Sequence, residues 1–297
     1  MKNHLVIASL GLALSLVSCG KKQSGDTAGT ETAAADGTYI LASGDLLPTV
    51  EKTRVTSQIM EMNGAKLSFS MGDNKMEGVM SQKSESVEKT EPVSAGKLRH
   101  VIVSETDTGT ISMEGQDQAT PQKTNPLVGI PVIMEMKDGK LTASLEEGVP
   151  TDEQQVKLDE ILKQYETRED FVMYGDEPRK PGDKWNVDPS KLSNFAGGTG
   201  LSGTFTVEFT GVEEIDGVKC AKLACVFDLT GKTIREGEEP EMTIAIKGKA
   251  DVVRSIRDRT DLDVKIDGTI AVEGEPAEGM SMKAEGPVTM IQTIELE

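Results

Sequence analysis

The sequence predicts a mainly β, α+β protein. Antiparallel meanders form curved or half-barrel sheets in two β-rich halves, with one amphipathic helix near 151–166. Three observations carry this expectation. Short runs alternating apolar and polar residues recur from Tyr39 to the C-terminus, the period of strands with one wet face. Asn63-Gly64, Asp138-Gly139, Asp216-Gly217 and Asp267-Gly268 fall between such runs, and these dipeptides tolerate the positive φ of tight hairpin turns. The period changes once, where Val156, Leu158, Ile161, Leu162 and Tyr165 follow the i, i+3, i+4, i+7 stripe of a helix.

In chain order, residues 1–18 read as an export signal. Lys2 precedes an apolar run from Leu5 to Leu16, too short to span a bilayer but suited to a signal peptide. Leu16-Val17-Ser18-Cys19 resembles the lipobox of bacterial lipoproteins: an aliphatic residue, a permissive position, a small residue and an obligatory Cys. The resemblance implies a diacylglyceryl group on the Cys19 sulfur, cleavage before it and acylation of the new amine. The alternative is an ordinary cleaved signal peptide with an incidental Cys. Gly20 stands where an Asp would resemble an inner-membrane retention signal. In a cell with two membranes this implies the outer membrane, with the protein facing the periplasm. Residues 19–38 form the lipidated N-terminus and a tether of small and polar residues with nothing to bury, reaching roughly 25 Å.

Residues 39–149 are the N-terminal β-rich half. Leu67, Phe69 and Met71, then Val101 and Val103, then Ile111 and Met113 alternate with polar neighbours. Residues 150–185 hold the helix and a connector. Thr151 caps the helix with Gln154 completing a capping box, and Asp152 and Glu153 suit the positive end of its dipole. Pro178, Pro181 and Gly182 then make a rigid turn that delivers Trp185 into a strand. This Lys-Pro-Gly-Asp-x-Trp turn resembles one in uncharacterised exported β-rich bacterial lipoproteins. Gly44-Asp45 is a candidate counterpart in an internal duplication, although the later turns do not keep the offset. Residues 186–297 repeat the strand habit at Phe205–Phe209, Ala221–Leu229, Met242–Ile246, Leu262–Ile266, Val288–Met290 and Ile294–Leu296.

Composition narrows the function. A net charge of −18 disfavours nucleic acid and anionic headgroups. Aromatics are 3% and Trp185 is the only Trp, so stacking platforms for sugars or bases are hard to build. The 14 methionines suit a core or an adaptable apolar groove. Cys220 and Cys225 lie out of phase on one strand, roughly 16 Å apart at about 3.3 Å per residue. A disulfide needs Cα atoms within about 7 Å, so both are expected unpaired.

Chemistry is sparse. His4 leaves with the signal, so His100 remains, on a strand beside Arg99 and without a Gly-x-Ser-x-Gly elbow. Gly198-Thr-Gly200-Leu-Ser-Gly203 matches a dinucleotide fingerprint in form only, because a strand pattern follows it. It reads as a flexible loop. Asp258, Asp261, Asp263 and Asp267 lack the order of a calcium loop and, with Arg257 and Arg259, read as a solvated charged face. We therefore expect no enzyme activity, no catalytic residues, no cofactor and no metal site.

The expected function is a membrane-anchored envelope lipoprotein with a binding or carrier module for an apolar ligand. The alternative is a structural or protein-interaction lipoprotein of the envelope. Expected partners are the membrane, through the lipid on Cys19, and an apolar ligand or envelope protein. Curved antiparallel sheets with a covering helix resemble the half-barrel lipoprotein and lipid carriers, a likeness at the level of fold. Replacement Cys19→Ser should abolish labelling by a radioactive fatty acid and release or mislocalise the protein. Unchanged labelling and membrane partition would sink the lipoprotein reading.

Overall fold

The computed structural model describes residues 37–42, 46–47, 51–120, 124–192, 195, 198–233 and 242–297. Cys19, the export signal, most of the tether and the Gly44-Asp45 turn lie outside the described residues.

The two β-rich halves form one curved, open, antiparallel sheet of twelve strands. The first half supplies β1 (Arg54–Met71), β2 (Asn74–Ser94), β3 (Lys97–Met113), β4 (Gln116–Ala119), β5 (Val132–Lys137) and β6 (Lys140–Leu145). The second supplies β7 (Lys184–Asn186), β8 (Gly198–Ile215), β9 (Val218–Thr233), β10 (Thr243–Ser255), β11 (Thr260–Ala277) and β12 (Met280–Leu296). Their order is β6-β5-β3-β2-β1-β12-β11-β10-β9-β8-β7, with β4 also on β3. The halves meet where the first long strand pairs with the last, Arg54 opposite Leu296 through Met71 opposite Met280.

The long strands bury alternate residues. Phe205, Val207 and Phe209 on β8, and Leu223, Cys225, Phe227 and Leu229 on β9, line the inner face. Phe195, Phe205 and Phe227 pack with centroids 5.1–5.6 Å apart, the spacing of favourable edge-to-face and offset ring pairs. An eighteen-residue strand is about 60 Å long at roughly 3.3 Å per residue. Sheets this deep twist strongly, and bulges accentuate the bend.

Bulges account for several departures from the expected turns. Asn63-Gly64 makes no hairpin. It is a bulge inside β1, where the register shifts between Met62 and Ala65 and Gly64 has φ +68°. Val103 is likewise an extra residue, since Ser104 faces Val87 while Ile102 faces Glu88. The bulge reverses the expected phase, so Leu98, His100 and Ile102 are buried and Val103 is exposed. Gly198 to Gly203 opens strand β8 with a bulge and is not a loop. Asp267-Gly268 is no turn either. Gly268 lies mid-strand opposite Gly248, where an added Cβ would come 2.5 Å from the Lys247 carbonyl oxygen. Here the dipeptide answers a close approach of two backbones. Asp138-Gly139 and Asp216-Gly217 do turn hairpins, with φ of +50°, +78° and +51°, +78°.

Helix α1 (Asp152–Thr167) starts where its cap predicts. Gln154 N donates to Thr151 Oγ1 at 3.3 Å, and Thr151 N donates to Gln154 Oε1 at 3.0 Å. Leu158 and Tyr165 are buried, with Ile161 and Leu162 half-buried, against Leu98, Ile102, Val132, Met134 and Leu141. Val156 does not belong to this face and is 47% exposed, because the stripe is narrow and Val156 lies at its margin. Arg168 takes a left-handed conformation (φ 50°) and turns the chain into α2 (Glu169–Tyr174). The connector turn is as expected. Asp183 Oδ2 accepts from Lys180 N at 2.8 Å, and Trp185 on β7 donates from Nε1 to the Met173 carbonyl at 2.8 Å.

The second half also buries charge. Arg254 is fully buried. Its Nη1 donates to Asp261 Oδ1 at 2.6 Å, its Nη2 to the Arg259 carbonyl at 2.6 Å and its Nε to the Leu41 carbonyl at 2.9 Å. Asp170 Oδ2 lies 3.5 Å from Nη2, and the Tyr174 ring lies 4.1 Å beneath the guanidinium. Asp261 is therefore no part of a solvated face. A register shift between Val253 and Arg254 sets Asp261 opposite Arg254, while Asp258 and Asp263 are half-buried, Asp263 beside Lys265, and Asp267 is exposed. Arg254→Ala should cost about 3–5 kcal/mol, because it strands buried carboxylates. The double variant Arg254→Met, Asp261→Leu should lose less than the single. Urea midpoints of both variants test this, and a double variant weaker than the single would refute it.

Candidate apolar binding site

The centre of the concave face carries a narrow cleft across β2, β1, β12 and β11. Met60, Met62, Met80, Ile270, Val272, Ala284 and Val288 line it, with Gln82 at its rim. Alternation puts these side chains together. Met60 faces Met290 and Met62 faces Val288 across the β1–β12 junction, while Ile270 and Val272 on β11 lie beside Gly286 and Ala284. The small side chain of Ala284 leaves part of the hollow open, while Gly286 answers a close approach of β1, since an added Cβ there would come 2.5 Å from Ala65 Cα. Its volume is about 20 Å³, room for about one water molecule. Three unbranched thioether side chains form the walls, and methionine adapts its rotamers to irregular occupants more readily than branched residues do. The site thus offers apolar burial that widens by side-chain rotation. Helix α1 contributes none of the lining residues; it covers the sheet around β3, β5 and β6 instead.

Beyond Gln82 the inner face turns polar. Gln82 Nε2 donates to Asp107 Oδ1 at 3.1 Å, and Ser84 Oγ donates to the same oxygen at 3.0 Å. Farther along this face, His100 of β3 lies buried with Nδ1 3.3 Å from Thr90 Oγ1 and Nε2 3.8 Å from Glu88 Oε2 of β2. The sequence expects a structural His here, and the structure buries it beside Thr90 and Glu88.

Burial perturbs two cysteines and a tyrosine of the second half. Cys220 and Cys225 are free and buried, as the strand phasing expects for unpaired thiols. Burial first, then the carboxylates of Asp261 and Asp251, push the Cys225 thiol up to about 12, far from a thiolate nucleophile at neutral pH. Burial and then Asp261 also raise the Tyr174 phenol well above its usual range. Its hydroxyl donates to Asp261 at 3.1 Å. Among the described residues no group of three or more His, Cys, Asp or Glu could hold a metal ion.

The sequence names Cys19 for lipidation and no ligand-binding residue. The signal for the cleft was present in the alternation Met60-x-Met62 and Ile270-x-Val272. It was unreadable without knowing that the first and last long strands are neighbours.

No family model and no curated protein sequence matches the chain. Among solved structures, one described as lipid-protein interactions in lipovitellin aligns at 8% identity with a TM-score of 0.39, covering 82% of this chain and 25% of that one. The chain thus spans about a quarter of that structure's length. A DUF1329 family protein from Desulfovibrio piger aligns at 9% identity and a TM-score of 0.14, covering 84% and 87%. Likenesses this weak carry no argument about ligand or function.

Cys225 makes the stability of the fold pH-dependent. Its folded value is raised from 9.0 to about 12. The stability held by the neutral thiol is therefore complete below the unfolded value and is lost as pH rises toward the folded one. The loss is at most about 4 kcal/mol. Cys225→Ala should flatten the fall of urea-unfolding stability between pH 9 and 11. Equal slopes for variant and parent would refute the assignment.

Proposed function

We propose that the protein is a non-enzymatic, lipid-anchored envelope carrier that holds an apolar ligand in the methionine-lined cleft. The observation that carries this reading is the cleft itself: seven apolar side chains, three of them methionines, drawn from four adjacent strands of one concave face. Each methylene buried there stabilises a complex by about 0.8 kcal/mol. The lipobox residues ending at Cys19 support attachment to a membrane, with Gly20 favouring the outer one facing the periplasm.

The rival reading, an envelope interaction protein, calls for an outward apolar patch. On the convex face Ile59 and Ile291 are cross-strand neighbours, 39% and 46% exposed. They lie between Glu85 and Lys265 in the same row of four strands. A spot of two side chains between charges falls short of an interaction patch, which favours the carrier.

All described elements and both apolar cores lie within residues 37–297, so residues 20–297 without the lipid suit the test. This chain should bind a fluorescent long-chain alkyl probe. Met62→Glu, at a half-buried wall position, should weaken binding at least about tenfold by placing a charge in the cleft. Ile59→Glu on the outer face should leave it unchanged. Equal affinity in all three proteins, or none in the parent, would overturn the reading.

A further inference from the structure

We propose that the cleft takes an alkyl chain bearing a primary ammonium head, with Asp107 as the acceptor for that head. This rests on the carrier reading and adds the chemical class of the ligand.

The first support is placement. Met80, Gln82 and Ser84 are successive inward residues of β2, opposite Ile111, Gly109 and Asp107 of β3. Met80 and Gln82 line the cleft, and Asp107 lies beside Ser84 on the same face. Inward residues repeat about every 7 Å along a strand. A short alkyl chain seated among the methionines therefore reaches the carboxylate with its head.

The second support is charge. Among the described residues Asp107 accepts hydrogen bonds from Gln82 and Ser84. Among the described residues neither Asp107 nor its inner-face neighbours Glu88 and Glu105 pairs with Lys or Arg. Glu88 faces His100, and Glu105 accepts from Asn125 Nδ2 at 2.8 Å. Other carboxylates of β2 contrast with this. Glu77 pairs with Lys75, Glu85 with Lys83, and Glu91 with Lys89 and Arg99. A carboxylate offers about four acceptor sites, so two neutral donors leave Asp107 with capacity for an ammonium. Half-burial of Asp107 strengthens that contact relative to open water. A carboxylate head would instead meet the like charge of Asp107.

Residues 20–297 would be titrated calorimetrically with dodecylammonium, dodecanol and dodecanoate below their aggregation limits. The ammonium should bind roughly fivefold or more tightly than the alcohol, and the carboxylate more weakly than either. Asp107→Asn, which keeps size and the Ser84 contact, should erase the ammonium preference while leaving dodecanol unchanged. Lysophosphatidylethanolamine binding over lysophosphatidylglycerol would assign the ammonium to a phospholipid head, and dodecylammonium binding alone to a simple amine. Equal binding of amine and alcohol, or a preference that survives Asp107→Asn, overturns the headgroup assignment and leaves the carrier reading intact. Failure of all three alkyl probes overturns both.

Discussion

The buried guanidinium of Arg254 is the constraint that ties this fold together across its length. It receives the Leu41 carbonyl from the N-terminal segment, Asp170 and the Tyr174 ring from the short second helix, and Asp261 and the Arg259 carbonyl from its own hairpin. Burial alone would lower its proton affinity, but Asp261, Tyr174 and Asp170 more than offset that and keep it charged. An ion pair buried this deeply adds little net stability over apolar packing. Its consequence is geometric. Each donor of a planar fork accepts one direction of approach, so three distant stretches of chain are set in one arrangement. The segment that follows the tether is thereby fixed to the sheet at a defined point.

A second constraint is the depth of the sheet. Strands of 16 to 21 residues cannot lie flat, so they coil, and the bulges at 63–64, 103 and 200–201 absorb the mismatch. Each bulge flips the inward phase of its strand. The concave face is apolar around the phenylalanines and the cleft, and polar around Arg254 and Asp261 and along part of β2 and β3. The cleft and the carboxylate lane meet because the apolar stretch of β2 ends after Met80.

Much of this architecture was legible in the sequence. Alternation located every long strand of the second half but only in part, since each runs well beyond the alternating stretch, and the Thr151–Gln154 capping box placed the helix start. Local signals failed where tertiary context decides the conformation. Asn63-Gly64 has hairpin chemistry, yet pairing on both flanks of β1 turns it into a bulge. Asp261 has the composition of a surface residue, yet a one-residue shift aims it inward at Arg254. The cleft was hidden for a different reason. Its walls come from residues more than 200 positions apart in the chain, and strand order is not encoded in the period of any one strand.

The same arrangement separates stability from adaptability. The second half is held by interlocked phenylalanines and the buried arginine, both intolerant of displacement. The junction of β1 with β12 is walled by methionines beside Ala284 and Gly286. A side chain that rotates at this junction opens space without breaking a backbone ladder or a buried ion pair. An apolar guest at this junction would cost rotamer changes of the methionines, whereas one among the phenylalanines would require separating a packed core. The cleft therefore occupies the part of the concave face where a guest would disturb the sheet least.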